Sequence, residues 1–418
     1  MQDVAGLTDR QLARVRARLV EFAEEMLASM PRRDQRAWGE VYLRGLMLDG
    51  KRKSIEPMAA RLADGDEQCL QQFVNQSPWD PAPVRKALAR RMTAEISPEA
   101  WVIDDTGFPK FGKHSVGVSR QYSGSLGKVG NCQVAVSVNA ATDQASCALD
   151  WRLFLPQEWD QDTDSNQDRR RRAGVPEDLH HVEKWRLALE MIDELIGWDV
   201  EPGVVCADGA YGDSTRLREG LSDRGLGWVL DVKHTTSAYP EQARPEKPEY
   251  QGRGQPPKRR YRQDPSSLLD LALGAGSAAT QEITWREGTR GEMRSRFLAI
   301  RVRPANIELR RAANKADREL DTAWLLCEWP EHKAQPVKYW LSNLSADTPI
   351  EDLVRLGKLR WRIEHDYREL KDALGLDHFE GRGYRGFNHH VTLVSVAHAF
   401  LTIERRRSRG RPQLRAAA

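Results

Sequence analysis

The chain has 418 residues, of which 40% are hydrophobic and 30% charged, a balance typical of a globular protein with two or three domains. Its formal net charge of +3 is too small to indicate a polyanionic partner by itself. The five cysteines are scattered and form no CxxC pair, which predicts cytoplasmic thiols rather than a zinc cluster. The chain contains no stretch of about 18 apolar residues, so no membrane-spanning helix is predicted. The N-terminal residues lack the pattern of a signal peptide.

Residues 1–95 are predicted to be helical, because segments such as LARVRARLVEFAEEML and APVRKALARRM carry apolar residues at three- and four-residue spacing. Within 46–62, a Gly-Lys-Arg-Lys turn precedes a helix for which Ser54 is the predicted N-cap. The pattern fits a helix-turn-helix, and it fits a plain helical bundle equally well.

From Trp101 onward the sequence pattern changes from one typical of helices to one typical of strands. WVIDDT, NCQVAVSVNA and CALDWRLFLP predict three strands, with a Gly- and Ser-rich loop or hairpin after the first. A polar segment at 157–176 is expected to be exposed, and 178–197 shows helical periodicity. GVVCAD then predicts a strand, 213–224 a helix, and 227–232 another strand. This is the order of an RNase H-like domain, so we predict an α/β fold whose catalytic core has its first half at 96–234.

Residues 235–345 break that order. EYQGRGQPPKRRYRQDP predicts an exposed loop, and QEITWREG, MRSRFLAIRVRP, DTAWLLCEWP and VKYWLSNL predict the strands of a β-rich insertion. Residues 346–407 are predicted to return to the core as helices, followed by a flexible basic tail at 408–418. Basic runs at 169–172, at 258–260 and near the C-terminus are each typical of a solvated face, but together they favour a polyanionic partner.

Three carboxylates follow the pattern that phosphoryl transfer on DNA requires. That chemistry uses two divalent cations about 3.5–4 Å apart, and Mg²⁺ prefers oxygen ligands, especially carboxylates. A protein of this kind therefore needs acids at the ends of strands and another acid on a helix that faces them.

The first two candidates are Asp105, in IDDT at 103–106, and Asp208, in VVCADGAYGD at 204–213. Neighbouring side chains of a strand point to opposite faces, so Asp104 stays open as an alternative to Asp105. Gly209 is expected to give the backbone room to turn after Asp208, and Asp213 is expected to cap the next helix. Either acid alone also fits a residue that only caps a turn.

The third candidate is Glu364, in LRWRIEHDYRELKDAL at 359–374, which is predicted to be helical. Arg360 lies four residues before it and Lys371 seven after it, so the three are expected to share one helix face. Such a face suits a metal ion and phosphates, although an ordinary surface helix with ion pairs has the same pattern.

Taken together and in this order, the blocks resemble bacterial insertion-sequence transposases of the DDE class, specifically the family 701 group, which is related to the family 4 group. The resemblance is carried by DDTGFPKFGKHSVGVSRQYSGSLGKVGNCQVAVSV, VCADGAYGD, TWREGTRGEMRSRFLAIRV, YWLSNL and WRIEHDYRELKDALGLDHFEGRGYRGFNHH. YLRGLMLDGKRKSIEPMA and FVNQSPWD are similar to the N-terminal part of that group, so the resemblance covers most of residues 35–405.

The resemblance implies that Asp105, Asp208 and Glu364 bind Mg²⁺, with Mn²⁺ as a substitute. Arg360 and Lys371 match the Arg and Lys of the family 4 signature Tyr-x2-Arg-x3-Glu-x6-Lys, which implies phosphate contacts. The Tyr of that signature falls at Gly357, where this chain departs from the pattern, and Tyr367 is an alternative source. A helical DNA-binding domain at 1–95, a homodimer on double-stranded DNA, and a nucleoid-associated place in the bacterial cytoplasm are also implied. The DNA would comprise terminal inverted repeats and a target.

Further DNA contacts are expected from basic residues in the predicted loops. They are Lys51, Arg52, Lys53, Lys110, Lys113, Arg259 and Arg260, with His114 beside them.

Some aromatic and histidine side chains are expected to be structural. Tyr122 is predicted to pack against the sheet rather than stack on a base, and Trp361 is predicted to lie in the core. His389 and His390 are adjacent on a helix and diverge by about 100°, so they make a poor metal chelate.

Two other functions remain compatible with the sequence. One is an RNase H-like nuclease that no longer mobilises an element, and the other is a DNA-binding regulator without catalysis. The three intact acids argue against the regulator. A carboxylate-pair glycosidase is disfavoured, because the Glu-containing segment is flanked by Lys and Arg and no aromatic-lined pattern occurs.

Overall fold

The computed structural model describes residues 8–124, 127–252, 254–255, 257–288 and 291–409. The chain forms two compact units, and neither is a continuous stretch of sequence. Unit 1 contains the residues up to Pro98, Asp104–Glu201, and those from Arg362 onward, whereas unit 2 contains Glu99–Ile103 and Pro202–Trp361. The domain boundaries inferred above follow changes of composition rather than these units, and they stay a prediction.

Unit 1 begins with five helices. They are α1 (Asp9–Leu27), α2 (Arg33–Met47), α3 (Ile55–Ala59), α4 (Glu67–Asn75) and α5 (Pro81–Ile96). The side chains of Thr8, Asp66 and Asp80 accept backbone amides at the starts of α1, α4 and α5. These caps satisfy donors that the first turn of a helix leaves unpaired. Ser54 stands at the N-cap position of α3, as predicted, but its side chain makes no capping hydrogen bond.

The strands that follow are β1 (Ala100–Pro109), β2 (Ser119–Ser123), β3 (Lys128–Ala141) and β4 (Ser146–Leu153). β3 pairs with β1. It also pairs with β2 along its first part and with β4 along its second part. β1 does not end at Asp104 and Asp105, as the sequence suggested, but continues to Pro109. Phe108 explains the difference, because its ring is buried and packs edge-on against Phe387 at 5.3 Å.

Most residues of the polar segment at 157–176 are exposed, as predicted, but the segment is folded and anchored to the protein. It contains a 3-10 turn at Gln157–Trp159 and helix α6 (Asp164–Ala173), and α7 (Lys184–Gly197) follows. Trp159 is fully buried, and the guanidinium of Arg169 lies 3.7 Å from the centre of its ring. Arg169 also donates a hydrogen bond to the Val118 carbonyl at 2.8 Å. Part of this basic run therefore binds the protein itself.

In unit 2 the elements β5 (Val204–Ala207), α8 (Gly209–Gly212), α9 (Thr215–Asp223) and β6 (Trp228–Asp231) follow one another. The first residues of β1 pair in parallel with β5, and β5 pairs in parallel with β6. Ala100 is opposite Val204, and Ile103 is opposite Ala207. The continuous apolar runs of β5 and β6 are typical of parallel strands that are covered on both faces.

The predicted insertion extends this sheet. Its elements are β7 (Ser237–Pro240), β8 (Ser266–Ser267), α10 (Leu268–Ala275), β9 (Gln281–Gly288), β10 (Gly291–Pro304), α11 (Ile307–Ala316), β11 (Ala323–Glu328) and β12 (Lys338–Ser342). β12 pairs antiparallel with β6, and the order continues through β11, β10, β7 and β8, with β9 on β10. Tyr239, Ala305, Ala313 and Leu320 form a small core beneath this part.

The last helices are α12 (Ile350–Lys358), α13 (Trp361–Asp372) and α14 (Tyr384–Arg409). α14 is almost wholly buried from Phe387 to Phe400. Within unit 1 the Nε1 atom of Trp151 on β4 donates to the Ser395 hydroxyl of α14 at 2.8 Å. α14 continues to Arg409, past the predicted start of the tail at 408, and 410–418 lie outside the described residues.

The predicted mixed α/β class is confirmed. The strand order β4-β3-β1-β5-β6 is the one expected for an RNase H-like core. All five cysteines are free thiols. Among the described residues, the helices are too short or too polar to cross a membrane.

Candidate active site

The first predicted ligand lies on β1 in unit 1. The Asp105 side chain is one-quarter exposed (25%), and its Oδ2 accepts a hydrogen bond from Lys184 Nζ at 2.8 Å. Asp104 is buried, and its Oδ1 accepts the backbone amide of Asp105 at 2.9 Å. Alternation along the strand turns the two carboxylates to opposite faces, and the greater exposure of Asp105 favours it as the residue that can reach a ligand.

Lys184, the first residue of α7, is a site residue that the sequence did not suggest. Its ammonium forms an ion pair with the Asp105 carboxylate and so fixes one side of that group. Nothing in the local sequence connects a lysine at a helix start with an acid on a strand 79 positions earlier.

Helix α13 presents the third candidate. Glu364 is exposed in its first turn, and Tyr367 and Lys371 follow on the same face. The Tyr367 hydroxyl shares a hydrogen bond with the Ser137 hydroxyl at 2.7 Å, and Lys371 Nζ donates to the Gly107 carbonyl of β1 at 2.8 Å. These bonds hold the face that carries Glu364 against β1 and β3 of the same unit.

Burial changes the chemistry of both anchoring residues. Burial raises the pKa of Tyr367 well above its ordinary value, and it lowers the pKa of Lys371. Tyr367 is buried and its hydroxyl is bound to Ser137, so in this structure it anchors α13. At Gly357, a Cβ atom would lie 3.3 Å from the Trp340 indole, so that ring occupies the space a larger residue would need.

The expectation that Arg360 shares a helix face with Glu364 is wrong. α12 ends at Lys358 and α13 begins at Trp361, so Arg360 lies in the turn between them. Arg360 belongs to unit 2, where its positive charge opposes the rise in the pKa of Asp231 that burial causes.

Asp208 directly follows β5 and is the N-cap of α8 in unit 2. Its Oδ1 accepts the amides of Ala210 at 3.0 Å and Tyr211 at 3.4 Å, which fixes the carboxylate at the end of the strand. Gly212, and not Gly209, is the glycine whose surroundings leave no room for a side chain. A Cβ at Gly212 would lie 1.9 Å from the Asp231 carbonyl oxygen, whereas at Gly209 the nearest atom would be 3.9 Å away.

The prediction that Asp213 caps the next helix is also wrong. Ser214 caps α9, and Asp213 ends α8, where it pairs with Lys233 Nζ at 2.9 Å. The shift by one residue follows from the extra short helix α8, which the sequence pattern did not reveal.

Asp231, at the end of β6, is an acid that the sequence reading missed. Its Oδ1 atom would lie 3.9 Å from a Cβ atom added to Gly209, the residue that follows Asp208. Burial raises the pKa of Asp231; the positive charges of Lys338 and Arg360 oppose that shift, and Asp208 and Asp213 add to it. The sequence did carry a signal, because WVLD ends a buried strand with an acid just as VVCAD does.

The basic residues predicted to meet DNA differ in accessibility. Lys51 and Arg52 are exposed. Lys53 is buried, its ammonium donates to the Leu48 carbonyl, and burial lowers its pKa. The prediction of a DNA contact is therefore contradicted for Lys53, because its charge is already bound inside the protein.

The loop lysines differ in the same way. Lys113 is exposed, whereas Lys110 is partly buried and its Nζ donates to the Phe379 carbonyl at 2.6 Å. Lys110, Arg52 and His114 line one cavity of about 480 Å³ in unit 1. Arg259 and Arg260 are exposed in unit 2.

The histidine pair on α14 is structural, as predicted. His389 lies between the carbonyls of Val74 and Trp79, and His390 Nδ1 lies 2.9 Å from the Tyr42 hydroxyl. Burial lowers the pKa of each to about 4.

Two aromatic predictions are wrong. Tyr122 is 64% exposed on β2 rather than packed against the sheet. Trp361 is only partly buried, and the Arg286 guanidinium lies 3.4 Å from the centre of its ring.

The candidate ligands fit a hard divalent cation by their chemistry. Asp105 and Glu364 in unit 1, and Asp208 and Asp231 in unit 2, offer only carboxylate oxygen, which Mg²⁺ and Mn²⁺ prefer. Within the described part of the chain, no cluster of three or more His, Cys, Asp or Glu side chains forms a ready-made metal site.

Comparison with known proteins places these residues in a family context. A sequence model of the DDE superfamily endonuclease family matches residues 25–292, a range that includes Asp105 and Asp208 and ends before Glu364. A curated protein of Microchaete diplosiphon, described as a "Probable transposase for insertion sequence element IS701", is 28% identical over 203 residues. The aligned part is 47% of this chain and 50% of the relative, so the chain spans about half the length of the curated relative it matches.

A solved structure, the cryo-EM structure of a piggyBac transposase synaptic complex with hairpin DNA, is also similar. It aligns with 98% of this chain and 77% of that chain, with a TM-score of 0.37 and 10% sequence identity.

Proposed function

This chain belongs to the DDE superfamily endonuclease family, and on that basis we propose that it is a DNA transposase. It would cut the ends of a mobile element by metal-dependent hydrolysis and join the exposed 3′ ends to target DNA. The observation that supports this most is the register of β1 and β5. Ile103 pairs with Ala207 on the neighbouring parallel strand; Asp208 directly follows Ala207, and Asp105 is the second residue after Ile103. Ligands of open α/β sheets bind beyond the carboxyl ends of such strands.

Asp105, Asp208 and Glu364 are the proposed ligands of Mg²⁺, for which Mn²⁺ would substitute. When bound, such cations activate a water or a 3′-hydroxyl for in-line attack and stabilise the leaving oxygen. The protein supplies positioned charge. Lys184 orients the Asp105 carboxylate, and the α8 amides orient that of Asp208. Both arrangements exist before substrate binds, which lowers the cost of reorganisation during the reaction.

The proposed DNA contacts are the accessible basic residues. Lys51, Arg52, Lys113, Arg259 and Arg260 are exposed, and Arg360 is charged at the turn before α13. Each phosphate contact should add about 0.9 to the slope of log affinity against log salt concentration. The proposed substrates are double-stranded terminal inverted repeats and target DNA, held by a homodimer that forms on DNA.

Cleavage of a supercoiled plasmid that carries the presumed element ends tests the proposal. The reactions contain Mg²⁺, Mn²⁺, Ca²⁺ or EDTA, and they compare the native chain with Asp105→Asn, Asp208→Asn and Glu364→Gln. Asparagine is a good N-cap, so Asp208→Asn keeps α8 while it removes the charge. Asp213→Asn is the matched control, because it neutralises a nearby acid that is assigned no ligand role.

We expect nicking and joining with Mg²⁺ or Mn²⁺, loss of both in the three ligand variants, and retention of both in Asp213→Asn. DNA binding should persist in all four variants. Cleavage without joining under every condition would leave a nuclease, and binding without cleavage would leave a DNA-binding regulator. Cleavage that survives Asp105→Asn but not Asp104→Asn would move the first ligand by one residue.

A further inference from the structure

A second cavity lies in unit 2, at the carboxyl end of β6, and none of the three proposed metal ligands lines it. It has a volume of about 630 Å³. One wall is the segment that follows β6, from Asp231 to His234, and the other is the segment that leads into β12, from Lys333 to Tyr339. We call this cavity the lysine cleft.

The lysine cleft is rich in positive charge. Lys233, Lys333 and Lys338 are exposed around it, and His234 stands beside them. Lys233 pairs with Asp213 at 2.9 Å. Within the described ranges, Lys333 and Lys338 have no carboxylate partner at ion-pair distance, and Asp231 is the acid that lines the cleft. Two ammonium groups therefore face solvent over a concave surface.

These lysines are carried by ordered backbone. The Trp329 Nε1 atom donates to the Lys333 carbonyl at 3.0 Å, and the Tyr339 hydroxyl donates to the Pro336 carbonyl at 3.2 Å. The backbone of Lys338 lies opposite that of Glu328 in the antiparallel pairing of β11 with β12. The loop between these strands is thus tied at both ends, so binding an anion there costs little ordering of backbone.

We propose that the lysine cleft binds the phosphate backbone of the DNA strand beside Asp208. The inference rests on the proposed function and adds a binding site to it. Asp231 lines the cleft and also lies next to Gly209, so the cleft begins where the candidate carboxylates of unit 2 end. Lysine binds phosphate as a point charge and does not require one fixed geometry. Several lysines around an open cavity suit a continuous polyanion that passes through it.

The test is the salt dependence of DNA binding, measured by fluorescence anisotropy with a fluorescein-labelled 30-base-pair duplex of random sequence. The variant Lys333→Gln/Lys338→Gln removes two charges from the cleft. Its matched control, Lys247→Gln/Lys315→Gln, removes two exposed lysine charges that lie outside the cleft and outside the predicted DNA-binding domain. A third protein, Lys333→Arg/Lys338→Arg, keeps the charge. Thermal unfolding of each variant shows whether the fold is retained.

Loss of two phosphate contacts should reduce the slope of log affinity against log salt by about 1.8. Between 50 and 200 mM NaCl, the affinity of the wild type should therefore fall about 12-fold more than that of the glutamine variant. The control and the arginine variant should behave as the wild type does.

A wild-type slope in the glutamine variant would overturn the cleft and leave the proposed function standing. The same holds if the control loses as much slope as the cleft variant. If the wild-type chain binds no duplex at all, both the cleft and the proposed function fail.

Discussion

Replacing Gly212 by alanine should disable the candidate active site while a neighbouring Gly→Ala change does not. The new Cβ would lie 1.9 Å from the Asp231 carbonyl oxygen, and real Cβ atoms essentially never come within 3.0 Å of such an atom. Either α8 or the end of β6 must therefore move by about 1 Å. Asp208 caps α8 and Asp231 ends β6, so either movement displaces a candidate carboxylate.

A displacement of about 1 Å at a catalytic site can reduce a rate on the order of 100-fold. Overpacking of this kind typically costs about 1–3 kcal/mol of folding free energy. We therefore expect Gly212→Ala to lower plasmid cleavage on the order of 100-fold and to unfold at lower urea concentration. The assays are cleavage with Mg²⁺ under single-turnover conditions and urea unfolding followed by circular dichroism.

Gly209→Ala is the matched control, because it adds the same methyl group to the same short helix. Its Cβ would have its nearest neighbour at 3.9 Å, which is an ordinary contact. This variant should cleave within threefold of the native rate. The reasoning is refuted if Gly212→Ala also cleaves within threefold and unfolds at the native urea concentration.

Two further predictions concern stability. Burial lowers the pKa of His390 to about 4, and an unfolded histidine titrates near 6.5, so its stabilising contribution is complete above about pH 6.5 and is lost as pH falls toward 4. Urea unfolding at pH 7.5 and 4.5 should show this loss, and Tyr42→Phe, which removes the hydroxyl beside Nδ1, should cost about 1–3 kcal/mol at pH 7.5. Lys358 pairs with Glu328 at 2.6 Å, and both side chains are largely buried. Lys358→Met should thus destabilise the protein more than Lys358→Met/Glu328→Gln does, and equal urea midpoints would contradict this.

The sequence located the strands that carry the candidate acids because those strands are strongly patterned. β5 is a short apolar run followed directly by Asp208, β6 is one that ends in Asp231, and parallel strands covered on both faces produce such runs. Asp208 could therefore be placed at a strand end from sequence alone. The sequence placed Asp105 on a strand but did not show that the strand continues beyond it. That continuation of β1 depends on the packing of Phe108 against a distant helix.

The helix break before Glu364 could not be predicted, because the apolar periodicity continues through it. Leu359 is buried in the turn between α12 and α13, so it supplies an apolar residue where a continuous helix would also place one. The pattern alone therefore predicts that Arg360 belongs to the same face as Glu364. Only the backbone geometry separates the two arrangements.

Contacts between distant segments explain the other differences. Lys184 meets Asp105 through tertiary packing, and no local pattern indicates the pair. Lys53 and Arg169 belong to basic runs that suggested DNA contacts, but Lys53 donates to a buried carbonyl and Arg169 stacks on Trp159. A charge run shows where cations occur in the chain and does not show which of them face solvent.

The placement of α14 has a consequence for how the protein is made. This helix contacts α2, α4, α5 and β4, and its central residues are buried among them. A ribosome produces α14 after every element that it covers, so those apolar surfaces remain open until residues 384–409 have emerged. A copy of the gene interrupted before that point would yield a chain that cannot close unit 1. We expect cells to degrade such a product, so that truncated copies do not accumulate as inhibitors of the intact protein.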